Sequence, residues 1–174
     1  MTLYHGSSVP HLTELKPFLS NHEKPFVYLT DDPTLALLYA HNPIARPGGF
    51  FPYWFDKSGQ LHYDEFFSGQ TSLIYEHHDG WVYSAETQDL PRLDKMPWVY
   101  LSNTPVPLRG AEHIPDLYRA LLDAEKAGRI IIHRYEDIPP EQQERHRQVV
   151  RRSFADHGED DYMRFMRTYM PELF

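Results

Sequence analysis

Phe26-Val27-Tyr28-Leu29-Thr30, running into Asp31-Asp32-Pro33-Thr34-Leu35-Ala36-Leu37-Leu38-Tyr39-Ala40, reads as strand, turn and helix without a break. The first five residues alternate, with Phe26, Tyr28 and Thr30 on one face and Val27 and Leu29 on the other. Asp32 before Pro33 is a helix start: an N-cap acceptor followed by a proline whose missing N–H costs nothing there. Leu35, Leu38 and Tyr39 fall at i, i+3 and i+4 and make one buried face. Asn42-Pro43 is expected to stop the helix, because a residue before proline is pushed out of the α region.

Upstream, Thr2 to His5 reads as a first strand that Gly6-Ser7-Ser8 breaks. Pro10 to Leu19 reads as a loop anchored by Leu12 and Leu15, and Asn21 to Pro25 as a polar turn. Downstream, residues 44–70 have no clear period and are rich in aromatics: Phe50, Phe51, Tyr53, Trp54, Phe55, Phe66 and Phe67. Such a stretch either plugs a gap between elements or forms a lid over a ligand.

Leu73 to Glu86 reads as a hairpin turned at Asp79-Gly80, with His78 facing Trp81, Glu76 facing Tyr83 and Ile74 facing Ala85. Trp98 to Ser102 is another strand, stopped by Asn103-Thr104-Pro105. Ile114 to Ala127 is a helix with Ile114, Leu117, Tyr118, Leu121, Leu122 and Glu125 on one stripe and Gly128 as its C-cap. Ile130-Ile131-Ile132 forms a buried strand. A polar helix opens at Pro139 or Pro140 and runs to His157, with Gly158 as its stop. A last helix, Asp160 to Met170, carries Tyr162, Phe165, Met166 and Tyr169 on one face. Strands and helices do not alternate regularly, which argues against a doubly wound sheet and for an α+β fold with antiparallel sheets.

The chain has 174 residues, 41% of them hydrophobic and 14% aromatic. That length supports a real core, and the rings add buried area where aliphatics are few. The formal net charge of -8 disfavours non-specific attraction to phosphate backbones. With no Cys there is no disulfide, thiolate nucleophile or Cys-based zinc site. No basic, apolar leader opens the sequence, and no apolar run approaches the ~20 residues of a membrane span. A soluble, cytoplasmic protein is expected.

Candidate chemistry concentrates near the N-terminus. A strand ending in Tyr4-His5-Gly6-Ser7 brings an imidazole to a sheet edge, beside a glycine that lets a ligand approach the backbone. The ring of Tyr28 can stack on a flat heteroaromatic group. His77-His78-Asp79, with His62, is a poor metal set, since adjacent strand residues point to opposite faces. Ser7 and Ser8 beside His5 lack the Gly-x-Ser-x-Gly elbow of a hydrolase. Arg145, Arg147, Arg151 and Arg152 are interleaved with Glu141, Glu144 and Asp156 and read as a solvated face.

Leu3-Tyr4-His5-Gly6-Ser7, followed by Val27-Tyr28-Leu29-Thr30 and Leu35-Ala36-Leu37-Leu38-Tyr39-Ala40, resembles the poly(ADP-ribose) polymerase-like ADP-ribosyltransferases. The resemblance implies a split antiparallel β-sandwich with flanking helices, formed by residues 1–138, with residues 139–174 as a helical extension. It implies NAD as substrate, transfer of ADP-ribose to a protein or nucleic-acid acceptor, and loss of nicotinamide. A mono-transferase is implied, with a catalytically inactive nucleotide-binding or interaction module as the alternative. Carried over, His5 donates to the adenosine-side ribose, and Gly6 bonds the nicotinamide amide through its backbone. Tyr28 and Tyr39 sandwich the pyridine ring, and Ser7 and Thr30 complete the cofactor-binding set. The family's third residue is a Glu that stabilises the oxocarbenium-like charge. At its expected place stands Asn103, with Glu86 and Glu112 as substitutes. Neither a metal nor a membrane is among the expected partners.

Overall fold

Asp32 caps the first helix as its position demands. In a computed structural model of the chain its Oδ1 accepts the amides of Thr34 (2.7 Å) and Leu35 (3.2 Å), with Pro33 in the first turn. The structure describes residues 1–19, 24–41, 52–87, 89–94, 96–153 and 161–174. The architecture is mixed α+β, with five helices among the described residues and a largest sheet that is antiparallel throughout. By its internal contacts the chain divides into two units. One comprises Met1–His41 and His77–Leu121, the other Asn42–Glu76 and Leu122–Phe174.

The first unit holds β1 (Thr2–Ser7), β2 (Glu14–Leu15), β3 (Val27–Thr30) and helix α1 (Pro33–Tyr39). The second contributes β4 (Tyr53–Phe55), β5 (Leu61–Asp64) and α2 (Gln70–Tyr75). The first unit resumes with β6 (Gly80–Glu86), β7 (Arg92–Leu93), β8 (Met96–Ser102), β9 (Val106–Pro107) and β10 (Gly110–Ile114). Helix α3 (Leu117–Lys126) begins in the first unit and ends in the second. β11 (Ile130–His133), α4 (Pro140–Ser153) and α5 (Asp161–Tyr169) belong to the second.

In the first unit, six strands run in the order β10-β6-β1-β3-β8-β7. The register Leu3↔Ala85, Leu29↔Tyr100 puts these four side chains on one face, where Leu15, Val27 and Val106 complete a buried cluster. The two-stranded β2-β9 ribbon supplies Leu15 and Val106 to it. Alternation sends Tyr4, Gly6, Val82 and Tyr28 to the opposite face, where α1 lies. A Cβ on Gly6 would stand 1.9 Å from the Ala36 carbonyl oxygen, and one on Gly80 would stand 2.5 Å from that of Ala40. Both glycines are therefore the seats of α1 on the sheet.

In the second unit the order is β11-β5-β4. β11 runs parallel to β5, whereas purely antiparallel pairing was expected. Phe66, Phe67, Val150, Met163, Met166 and Met170 form its core. The buried Glu65 carboxylate accepts the amides of Thr71 (2.8 Å) and Tyr135 (3.2 Å), tying the start of α2 to the chain after β11.

Several expectations need correction. β1 does not stop at His5; it continues through Gly6 to Ser7, paired with β6 along its length. The Leu73–Glu86 hairpin does not form. Gln70 to Tyr75 is helical, with Gln70, Thr71, Ile74 and Tyr75 buried at helical spacing, and Gly80 opens β6 instead of turning a hairpin. Residues 53–55 and 61–64 are strands, turned by Asp56, whose Oδ1 accepts the amides of Ser58 and Gln60. Phe66 and Phe67 are core, Trp54 is 41% exposed, and Phe50 and Phe51 lie outside the described residues. Ile114 belongs to β10, and α3 starts at Leu117, closed by Gly128 at φ 71° as expected. In α5 the buried residues are Met163 and Met166, continued by Met170 just past its end, and Tyr169 is 38% exposed. The Asn21–Pro25 turn lies largely outside the described residues, as do the stops at Asn42-Pro43 and His157-Gly158.

Candidate functional site

β1 and β3 share one registered pair, Tyr4↔Thr30. Beyond it the imidazole of His5 takes the place of ladder pairing: Nδ1 lies 2.9 Å from the carbonyl oxygen of Tyr28. A carbonyl only accepts, so Nδ1 carries the hydrogen. Burial lowers the His5 pKa, partly countered by this bond to Tyr28, so the ring is held neutral. Nε2 is then a lone-pair acceptor, and a ribose hydroxyl would donate to His5, the reverse of the expected direction. Backbone polar groups alternate sides along a strand. Since the Tyr28 carbonyl points toward β1, those of Thr30 do too, and its partner Tyr4 and then Gly6 turn theirs toward β3. The Gly6 amide and carbonyl thus face the split.

His5 also lines a cavity of about 450 Å³ together with His11, Leu12, Thr13, Glu14, Leu15, Lys16, Phe18 and Val27. Its walls are held by bonds both near and far in sequence. Ser7 Oγ accepts the Val9 amide at 3.1 Å. The Tyr83 hydroxyl donates to the Val9 carbonyl (2.7 Å) and accepts the Leu12 amide (3.3 Å). Phe18 pairs with Phe26 through two backbone bonds of 3.2 Å. Thr13 accepts the Leu108 amide at 2.9 Å, and Glu14 pairs with Pro107. Lys16 Nζ stands 3.3 Å from Glu14 Oε1, both well exposed.

The fold gathers some of the expected residues. Gly6, Tyr39 and Ala40 are neighbours, the backbone carbon of Tyr39 standing 2.7 Å from the place of a Gly6 Cβ. The ring of Tyr28 is half-buried and meets Phe18 and Phe26 edge-on at 5.9 and 6.4 Å. Tyr28 and Tyr39 are not among the cavity-lining residues, and alternation directs the Tyr28 ring to the face opposite His5. The imidazole and the two phenols therefore do not wall one hollow. Thr30 Oγ1 accepts the Asp32 amide at 3.1 Å, a role in the turn before α1.

The candidates for the third group separate by register. Glu86 pairs with Thr2, at the far end of β1 from Gly6, and accepts the Thr2 hydroxyl at 2.5 Å. Asn103 is exposed and follows Ser102, which pairs with Val27 at the split end. Glu112 is exposed in the cross-strand row Gly6↔Val82↔Glu112, about 10 Å from Gly6 at two strand spacings. Glu14 is the acidic residue among those lining the cavity with His5, its exposed carboxylate paired with Lys16. Reading Pro10 to Leu19 as loop hides it, since its placement depends on pairing with β9, ninety residues on.

Elsewhere, in the second unit, His62 Nδ1 lies 2.9 Å from His133 Nε2, with Trp54 stacked on His62 at 4.1 Å. Asp64 holds Gln142 (3.0 Å) and His146 (3.4 Å). Burial pushes the Asp64 carboxyl up, but the His146 bond, the Trp54 indole and the two histidine charges hold it below the usual range. Among the described residues no group of three or more His, Cys, Asp or Glu is arranged to hold a metal ion, and no helix is long and apolar enough to cross a membrane. Comparison with protein-family models, with curated proteins and with solved structures finds no match for the chain.

Proposed function

We propose that the first unit binds NAD or a related nucleotide at the split between β1 and β3 and transfers its ADP-ribose to an acceptor, releasing nicotinamide. The observation that carries this reading is the His5–Tyr28 carbonyl contact of 2.9 Å beside a 450 Å³ cavity. It fixes a neutral imidazole as a hydroxyl acceptor and leaves the Gly6 backbone facing a strand gap, where a carboxamide finds both a donor and an acceptor. The split end is where the two sheet faces meet. A ligand there would meet His5 on one face and the face of Tyr28, on which α1 lies, on the other. The finer fold, an ADP-ribosyltransferase-like split sandwich, belongs to the same proposal.

Cleavage of the glycosidic bond leaves positive charge on the ribose, and a nearby carboxylate lowers that barrier. Glu14 borders the cavity and would supply that carboxylate on release from its exposed pair with Lys16. Asn103 at the split end brings an amide without charge. That favours a second reading, a module of the same fold that binds the nucleotide without turning it over. The test is NAD consumption with nicotinamide release by the full chain. Turnover lost in His5→Ala, Tyr28→Ala and Glu14→Gln supports transfer. Binding without release in the wild-type protein supports the second reading, and no binding of NAD, AMP or nicotinamide mononucleotide sinks both.

A further inference from the structure

Strand register sets two rows side by side on the cavity face of the sheet. His5 pairs with Tyr83, and one step further Ser7 pairs with Trp81 and Trp81 with His113. The rings touch: Trp81 to His113 is 4.7 Å between centroids at 33°, and Trp81 to Tyr83 is 6.2 Å at 18°. His11 stands over the same indole at 5.6 Å and 54°. Because His11 also lines the cavity, the ring cluster and the cavity share a wall. Its backbone is left-handed, φ 58°, which a non-glycine residue adopts uncommonly. The segment is pinned on both sides of His11 by the buried Tyr83 hydroxyl, through Val9 and Leu12. His113 is oriented by Asp79 at 2.7 Å. The indole of Trp81 itself remains half-buried.

We propose that Trp81, flanked by His11 and His113, is the stacking platform for the purine base of the bound nucleotide. His11 stands tilted beside the indole and borders the same surface. Two considerations select a nucleotide base as occupant. The cavity is at the small end of sites that enclose a drug-sized ligand, so part of a dinucleotide extends beyond it, and His11 joins it to this surface. His5 and Trp81 are diagonal neighbours on adjacent strands, about 7–8 Å apart, within the span from a nucleoside's sugar hydroxyls to the far side of its purine. A ribose bonded at His5 Nε2 thus lays its base on the indole. Assigning the sugar to His5 rests on the function proposed above; the stacking surface rests on the rings alone.

The test measures binding of AMP, nicotinamide mononucleotide and NAD to the full chain by calorimetry, with tryptophan emission alongside. Base-on-aromatic stacking corresponds to roughly 5- to 150-fold in affinity. Trp81→Leu, which keeps an apolar side chain on β6, should weaken AMP and NAD by at least about fivefold. It should leave nicotinamide mononucleotide within about twofold, because that ligand has no purine. Trp81→Phe should keep most of the AMP affinity. AMP binding unaffected by Trp81→Leu overturns the platform, even where NAD is turned over. So does an equal loss for AMP and nicotinamide mononucleotide. AMP binding that depends on Trp81 in a protein that does not consume NAD upholds the platform and sinks the transferase reading alone.

Discussion

Replacing Gly6 by alanine tests how α1 is seated. The added Cβ would stand 1.9 Å from the Ala36 carbonyl oxygen, 2.6 Å from the Ala40 nitrogen and 2.7 Å from the Tyr39 carbonyl carbon, all of them backbone. No rotamer change relieves such a contact. To reach ordinary van der Waals separation the helix must withdraw by about 1.5 Å, or β1 must bow. Withdrawal loosens the packing of Leu35, Ala36 and Leu38, each about 1% exposed. Overpacking costs about 1–3 kcal/mol, and rigid backbone on both sides puts this case at about 3 kcal/mol or above. Set against a total stability of ~5–15 kcal/mol, that is a large fraction. The assay is urea unfolding followed by circular dichroism, with Gly110→Ala as control. There the new Cβ meets a side-chain hydroxyl, Ser84 Oγ at 2.7 Å, which can rotate away. Gly110→Ala should cost less than about 1 kcal/mol. A Gly6→Ala protein within about 1 kcal/mol of wild type would refute the seating of α1 on β1, and with it the adjacency of Gly6 and Tyr39.

Asp32→Ala removes the acceptor for two helix amides and should cost about 1 kcal/mol, while Asp32→Ser recovers most of it; equal stability of all three would contradict the cap. Glu65→Ala strands the buried amide of Thr71 and the part-buried amide of Tyr135 and should cost about 2–3 kcal/mol, more than Glu65→Gln, whose amide oxygen still accepts one; calorimetric unfolding ranks the two. Because burial lowers the His5 pKa in the folded protein, the unfolded chain binds the extra proton first as the pH falls. The stability that His5 loses to this appears below its unfolded pKa of about 6.5 and grows until the lowered folded pKa is reached. His5→Gln should therefore flatten the change in urea midpoint between about pH 7.5 and 5; an unchanged slope would mean that the ring is not buried neutral.

How much was legible before any coordinates depends on how far apart the deciding residues stand. Asp32, Pro33 and the Leu35–Leu38 spacing specify α1 within seven residues, and Gly128 closes α3 from two positions past its end. Such signals act through backbone hydrogen bonds inside one turn, so they survive in any tertiary context. The alternation of Val27 to Thr30 is likewise local, and it groups Val27 with Leu29, the pair that the structure packs into the buried cluster. Gln70 to Tyr75 shows the limit. Its residues suit a strand paired across Asp79-Gly80, yet the Glu65 carboxylate captures the Thr71 amide and the segment coils.

The site divides in the same way. By itself the sequence determined that His5, Tyr28 and Tyr39 sit on two strands and a helix that follow one another closely. Only the tertiary structure decided that the His5 ring bonds the Tyr28 carbonyl across 23 residues, that Glu14 joins the cavity by pairing with Pro107, and that Trp81 stands one row from His5. Strand pairing across such separations is settled by which faces can be buried together and where a ladder fails to close. That is a property of the packed sheet and leaves no mark in any short stretch of chain.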